Sequence, residues 1–265
     1  MTASATAAPG AAFDTGRVIA RVIETVKSQG LPLWLGAVLL VGIPQAATNF
    51  WLGRTAAALK ATPGWKSAVE AFAASELQGV LVMILGSYLT AWIAVIAVSD
   101  MAGHRRRSPI EAVGQVARRA LPIGIQAGML AVGFALGTLL LIVPGIMLLV
   151  AWIVSTPALV VEGASPRRAF ARSFQLTRGW RGAIFGLALS WFIPVMVVQF
   201  ILEKLVTGGL PLKAANATPV VSIGLQPLLG SLLHVVLAVG IASTYLELVT
   251  IKEGGLKSSV ADVFA

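Results

Sequence analysis

Five stretches of this chain carry no lysine, arginine, aspartate or glutamate: Leu31 to Phe50, Leu77 to Ser99, Ala120 to Val161, Gly182 to Leu202 and Val220 to Leu246. About 20 apolar residues of helix cross the hydrocarbon core of a bilayer, so every one of these runs is long enough to span it. The run from Ala120 to Val161 is twice the required length, and Pro144-Gly145 is its natural turn, with Pro144 early in the following helix. The pattern predicts six spans: Leu31–Trp51, Leu77–Ser99, two within Ala120–Val161, Gly182–Leu202 and Ser222–Leu248. The predicted fold class is an all-α polytopic transmembrane bundle with residues 13–254 as its body. The tails are 1–12, small, polar and predicted disordered, and 255–265.

Between the spans the pattern turns from continuously apolar to amphipathic. Ser165-Pro166-Arg167-Arg168-Ala169-Phe170 opens a short helix, with Ser165 at the N-cap and Pro166 at the first helical position. Phe170 and Phe174 share one face and Arg168 and Arg172 another. Ser108-Pro109-Ile110-Glu111 starts a similar helix with capping-box spacing, and Ile110, Val113, Val116 and Ala117 form its apolar face. A third runs from Phe13, with Val18, Ile19, Val22, Ile23 and Val26 on one side and Arg17, Arg21, Glu24 and Lys27 on the other. Each precedes a pair of spans, and each pair ends on an acid: Asp100, Glu162 or Glu247. One reading is a unit of interfacial helix plus transmembrane hairpin used three times. Its basic face would lie among anionic headgroups, and its arginines would pair with those acids. The other reading is that the helices only anchor loops and set topology.

Charge adds orientation. Fifteen of the 20 Lys and Arg fall in alternate segments starting from the N-terminus, which predicts both termini in the cytoplasm. Arg54, Lys60 and Lys66 run against that bias. A net charge of +9 would suggest nucleic acid in a soluble protein, but no stacking aromatics interleave with the basic clusters. Composition agrees with the spans: 57% hydrophobic, 12% charged, mean hydropathy +0.87. With no cysteine, disulfides, thiol nucleophiles and Cys–zinc sites are excluded. Residues 1–12 lack the basic start and apolar core of a secretory signal, so the first run is expected to be retained.

The stretch from Glu162-Gly163-Ala164-Ser165-Pro166 to Thr177-Arg178-Gly179, the late Tyr245-Leu246-Glu247 and Lys252-Glu253-Gly254, and the Pro144-Gly145 turn resemble a known family. It comprises the bacterial six-helix proteins described as glycerophosphoryl diester phosphodiesterase membrane domains. The resemblance covers about Phe13 to Gly254 and implies a multi-pass protein of the bacterial plasma membrane. Some relatives fuse this region to a soluble barrel that cleaves glycerophosphodiesters with His, Glu, Asp and a divalent metal. The family pattern supplies no catalytic residue to carry over onto this chain, which has two histidines.

The candidate residues fall into two groups. Arg105, Arg106, Arg107, Arg118, Arg119, Arg167, Arg168, Arg172 and Arg178 are candidates for lipid headgroups. His234 is the one ionisable residue deep in a span, where such groups face the bundle interior and can mark a pathway. The blander reading is a neutral imidazole bonded to a neighbouring helix, with Gln126, Ser190, Gln199, Gln226 or Ser231 as partner. His104 extends the basic cluster beside it, and two separated histidines make no metal site. Gly124/Gly128, Gly133/Gly137 and Gly182/Gly186 have the spacing of close helix contacts. Pro157, Pro194 and Pro227 are expected to bend spans four to six.

No cofactor is expected. The favoured function is a non-enzymatic scaffold or accessory protein engaging the bilayer's anionic phospholipids or a membrane-protein partner. The alternative is a transporter or lipid-handling channel with a midplane site near His234. Phosphodiesterase chemistry ranks last.

Overall fold

The computed structural model describes residues 12–60, 64–101, 108–140, 142–206 and 224–254, and these are helical apart from short connections. Among the described residues, five helical stretches are long and apolar enough to cross a membrane: Thr15–Leu52, Phe72–Met101, Val143–Val161 taken across a turn, Arg181–Val198 and Gln226–Glu253. Ala120–Phe134 is apolar but shorter. The chain is thus an all-helical protein whose long apolar helices fit a membrane.

The first element differs from expectation. α1 (Thr15–Ala37) runs through Pro32 and a π-helical turn (Val38–Gly42) into α2 (Ile43–Lys60). The amphipathic segment from Phe13 is therefore the lower part of the span and not a separate interfacial helix. Packing explains this. Val18, Val22, Thr25, Gln29, Leu33 and Ala37 form one buried stripe at helical spacing, continuous across Pro32, against the last helix and α3. The π turn sits just before Pro44, whose ring would crowd a regular helix and whose missing N–H breaks the ladder.

α3 (Trp65–Met101) extends well before the predicted start and is the central post, with every residue from Ala91 to Ser99 buried. α4 (Pro109–Arg118) follows, then α5 (Ala120–Leu140) and α6 (Ile142–Trp152). Pro144 lies in the first turn of α6, early in that helix as expected. A Cβ on Gly137 would stand 2.7 Å from Gly145 Cα, so the α5–α6 hairpin closes backbone on backbone.

The predicted fourth span is broken. α6 stops at Trp152, and α7 (Ser155–Val161) starts after a turn at Ile153-Val154. Pro157 causes the break, because its ring excludes the carbonyl four residues earlier. Pro227 sits in the first turn of the last helix, directly after π-helical Gly224-Leu225, and not within its length. Pro194 is the one of the three inside a continuous helix. α8 (Pro166–Thr177), α9 (Arg181–Val206) and α10 (Gln226–Glu253) complete the order. α10 packs on both α3 and α1. α9 lies at the edge and exposes Phe185, Phe192, Ile193, Met196 and Phe200, an area that water would not tolerate but lipid would.

Candidate functional site

The start of α1, the end of α3, α4, α8 and the end of α10 meet at one end of the bundle, and polar side chains fasten them. Glu247 is fully buried on α10. It accepts from Arg21 Nη1 at 2.9 Å, and Arg17 Nε lies 3.5 Å from its other oxygen. Gln29 on α1 donates to Asp100 on α3 at 2.8 Å. Arg172 on α8 donates through Nε to Glu162 at 2.8 Å and 3.1 Å, and through Nη1 to Glu253 at 2.5 Å. Tyr245 donates its hydroxyl to the same Glu162 at 2.9 Å. The hydrogen bond to Glu253, then Glu162, raises the Arg172 guanidinium above its ordinary range. Lys252 donates to the carbonyls of Gln175 and Arg178, capping α8 where its carbonyls lack helical partners. Asp14 N-caps α1; the hydrogen bond from the Arg17 amide holds its carboxyl below the usual range.

The three span-end acids are thus each paired with a polar side chain of an amphipathic segment: Glu162 and Glu247 with arginines, Asp100 with Gln29. Sequence reading singled out Arg172 for headgroups, but both faces of its guanidinium edge are taken by carboxylates. The expected pairing of helix arginines with span-end acids is met by Arg17 and Arg21 on Glu247 and by Arg172 on Glu162, while Gln29, Tyr245 and Glu253 were not anticipated as members of the cluster. The signal available was that acids and arginines recur at the same end of successive units.

α4 starts as its capping box predicts: Ser108 Oγ accepts from the Glu111 amide and Glu111 from the Ser108 amide, each at 3.2 Å. Trp92 on α3 donates to the Pro109 carbonyl at 2.9 Å and fixes its position. Ala112 and Gln115 face inward, while Ile110 is 83% exposed and Val113 is exposed. Ile110, Val113 and Ala117 of its predicted apolar face therefore point away from the protein, while Val116 packs against the core. α8 begins at Pro166 as predicted, although the Ser165 side chain makes no capping bond. Phe170 packs on Trp152, ring centroids 4.7 Å apart, while Phe174 lies exposed beneath the Arg181 guanidinium.

The remaining candidates divide clearly. Arg167, Arg168 and Arg178 are exposed, as is Arg118, whose Nε donates to Gly114. Arg119 is half-buried with its Nη2 beside Gly163, whose φ of 68° is the conformation that calls for glycine. Arg105, Arg106, Arg107 and His104, residues 1–11 of the N-terminal tail and the tail 255–265 lie outside the described residues, as does the Gln199 side chain.

His234 bonds to its own helix, not a neighbour: Nδ1 is 2.8 Å from the Gly230 carbonyl. Gln126 is fully buried and donates to Ser155 and Thr156 at 2.8 Å and 3.0 Å. Ser231 donates to Leu228 and Ser190 to Leu187. These polar groups satisfy backbone locally or stitch the α6–α7 break. Ser173 and Thr177 do the same from α8, reaching the Ala151 carbonyl at 2.8 Å and 3.3 Å.

No curated protein and no solved structure matches the chain. A family model does match, from residue 75 to residue 248, more than half of the sequence and nearly all of the helical body from α3 to α10. By that match the chain belongs to the family described as Domain of unknown function (DUF7847).

Proposed function

We propose that this protein is a non-enzymatic scaffold or accessory protein of the bacterial plasma membrane that engages anionic phospholipid. The observation that carries the reading is how α8 divides its arginines. Arg172 is consumed by Glu162 and Glu253, while Arg167 and Arg168 are turned outward at the same end. The outward Ile110 and Val113 of α4 lie at that end too, giving an apolar surface beside a cationic one. A basic amphipathic helix at the headgroup level has this division of labour.

The finer topology belongs to the same proposal. Six spans follow if α5, 21 residues long, crosses together with the five candidate spans. The abundance of Lys and Arg at the clustered end supports cytoplasmic termini. The shared Ser-Pro starts of α4 and α8 support related units, and α1 departs from that pattern by merging with its span. The resemblance to glycerophosphoryl diester phosphodiesterase membrane domains adds a membrane setting and no chemistry.

The test is lipid retention by the full-length protein. Purified from mixed-lipid membranes, the wild type should keep phosphatidylglycerol or cardiolipin through detergent exchange. Arg167→Gln/Arg168→Gln should lose at least half of it without a change in thermal midpoint. Equal retention would reject the headgroup role. The alternative, a transporter or lipid-handling channel near His234, draws support from one observation: the ring's Nε2 makes no hydrogen bond among the described residues.

A further inference from the structure

Ala20, Ile23, Glu24, Lys27 and Ser28 of α1 line an open groove of about 560 Å³. They recur at helical spacing and so share one side of the helix. Leu31, Leu35 and Leu39 continue from it at i+4 spacing as a ridge, 67%, 51% and 67% exposed. Leu31 opens the first charge-free run, so the groove ends where the apolar part of the span begins.

Both charges in the groove are uncommitted. Glu24 and Lys27 lie one turn apart, about 5–6 Å between Cβ atoms, near enough for one headgroup to meet both. Neither makes an ion pair or a side-chain hydrogen bond, with the other or with any other described residue. Arg17 and Arg21, the cations beside Glu24 along the helix, are held by Glu247 of α10. Ser28 Oγ donates to the Thr25 carbonyl at 3.3 Å, so its proton is taken. The groove therefore offers a ligand one carboxylate and one ammonium.

Their order along α1 identifies the ligand. From the N-terminal end toward the apolar run come the acid, then the base, then the leucines. A zwitterionic phospholipid presents the complement in the same order: its amine outermost, its phosphate beneath across a two-carbon bridge, its acyl chains last. An anionic headgroup would set no positive charge against Glu24. A quaternary ammonium has no N–H for a carboxylate and is recognised by aromatic rings, and none of the described lining residues is aromatic. A primary ammonium brings three donors. We infer that this face of α1 binds phosphatidylethanolamine, with the ammonium on Glu24, the phosphate on Lys27 and an acyl chain along Leu31, Leu35 and Leu39. The leucine ridge selects the lipid over the free headgroup. The site rests on the membrane setting alone and shares no residue with the exposed arginines of α8.

The test is native mass spectrometry of the full-length protein released from nanodiscs that hold phosphatidylethanolamine, phosphatidylcholine and phosphatidylglycerol in equal amounts. The wild type should retain phosphatidylethanolamine saturably and at least about threefold over phosphatidylcholine, and Glu24→Gln or Lys27→Gln should each lower that retention by a similar factor. The exchange Glu24→Lys/Lys27→Glu keeps composition and net charge but reverses the order, and should lose as much. Free phosphoethanolamine should not displace the lipid. These side chains are exposed, so thermal midpoints in lipid-free detergent should not change. Any of four results would overturn the site: equal retention of phosphatidylcholine by the wild type, undiminished retention in Glu24→Gln, full retention in the exchange variant, or displacement by phosphoethanolamine. Arg167→Gln/Arg168→Gln should leave phosphatidylethanolamine retention unchanged whatever happens to phosphatidylglycerol, so this site and the anionic-headgroup reading fail separately.

Discussion

Arg21 and Glu247 lie 226 residues apart in sequence and 2.9 Å apart in space, and only the glutamate is sealed off. Glu247 has no exposed surface, while Arg21 and Arg17 are about a quarter exposed. The two ends of the pair should therefore respond unequally. Arg21→Ala strands a buried carboxylate and should cost about 2–3 kcal/mol, below the full penalty for a broken buried pair because Arg17 remains. Glu247→Gln leaves arginines that can turn to headgroups or water, and should cost about 1 kcal/mol. Thermal midpoints of the purified variants check the order; a larger loss from Glu247→Gln would contradict it.

Arg172 joins three elements, because Glu162 follows α7 and Glu253 ends α10. Lysine offers one point charge where the guanidinium fork serves two carboxylates at once. Arg172→Lys should lose about 1–2 kcal/mol. The pH response has a definite sign. A basic group whose folded pKa is raised contributes fully below its unfolded pKa and loses that contribution only as pH rises through the folded value. For Arg172 both values lie above the working range. The stability gap between wild type and Arg172→Gln should thus stay constant from about pH 7 to about pH 10. A gap that closes over that interval would mean the guanidinium is not what the carboxylates hold.

Local signals carried much of this fold. The charge-free runs located the long helices, Ser108 and Glu111 announced the start of α4, and Ser165-Pro166 that of α8. What escaped was set by partners distant in sequence. Pro32 looks like a helix boundary, yet α1 continues because Val22, Gln29 and Leu33 pack against other helices. Pro157 looks like a bend, but the helix breaks there, since Ser173 and Thr177 are placed to take the freed Ala151 carbonyl. At the site, the acids and arginines were readable as partners by their recurrence. Gln29 was not, because a lone glutamine in an amphipathic helix carries no signal until Asp100 is seen beside it.

The glycine pairs of identical spacing separate once neighbours are known. Gly133 and Gly137 are filled: a Cβ at Gly133 would stand 2.6 Å from the Trp152 ring, and one at Gly137 would strike Gly145 backbone. Gly182 and Gly186 have nothing within 4 Å. Gly137→Ala should cost about 1–3 kcal/mol by forcing α5 from α6. Gly186→Ala should be neutral or stabilising by up to about 1 kcal/mol, because alanine is the better helix former. If Gly186→Ala destabilises the protein as much as Gly137→Ala, α9 packs on something through that face, and cross-linking there would identify it.

Asp14 gives the last test, at the start of α1. Its side chain accepts from the Arg17 amide at 3.1 Å, an N-cap that holds the polar end of α1 beside Glu247. The carboxyl is held below its usual range, first by that amide hydrogen bond. A lowered folded pKa means the contribution is present above the unfolded value and is lost as pH falls through the folded one. Asp14→Ala should therefore reduce protection of the Arg17 amide near neutral pH, and Asp14→Asn, which keeps an accepting oxygen, should reduce it less. As pH falls through the lowered folded value, wild type should lose its advantage over Asp14→Asn, whose accepting oxygen does not titrate, and fall toward Asp14→Ala. Exchange rates corrected for the intrinsic pH dependence read this directly. Persistent wild-type protection well below that value would show that packing of Val18 and Val22, and not the cap, fixes the first turn.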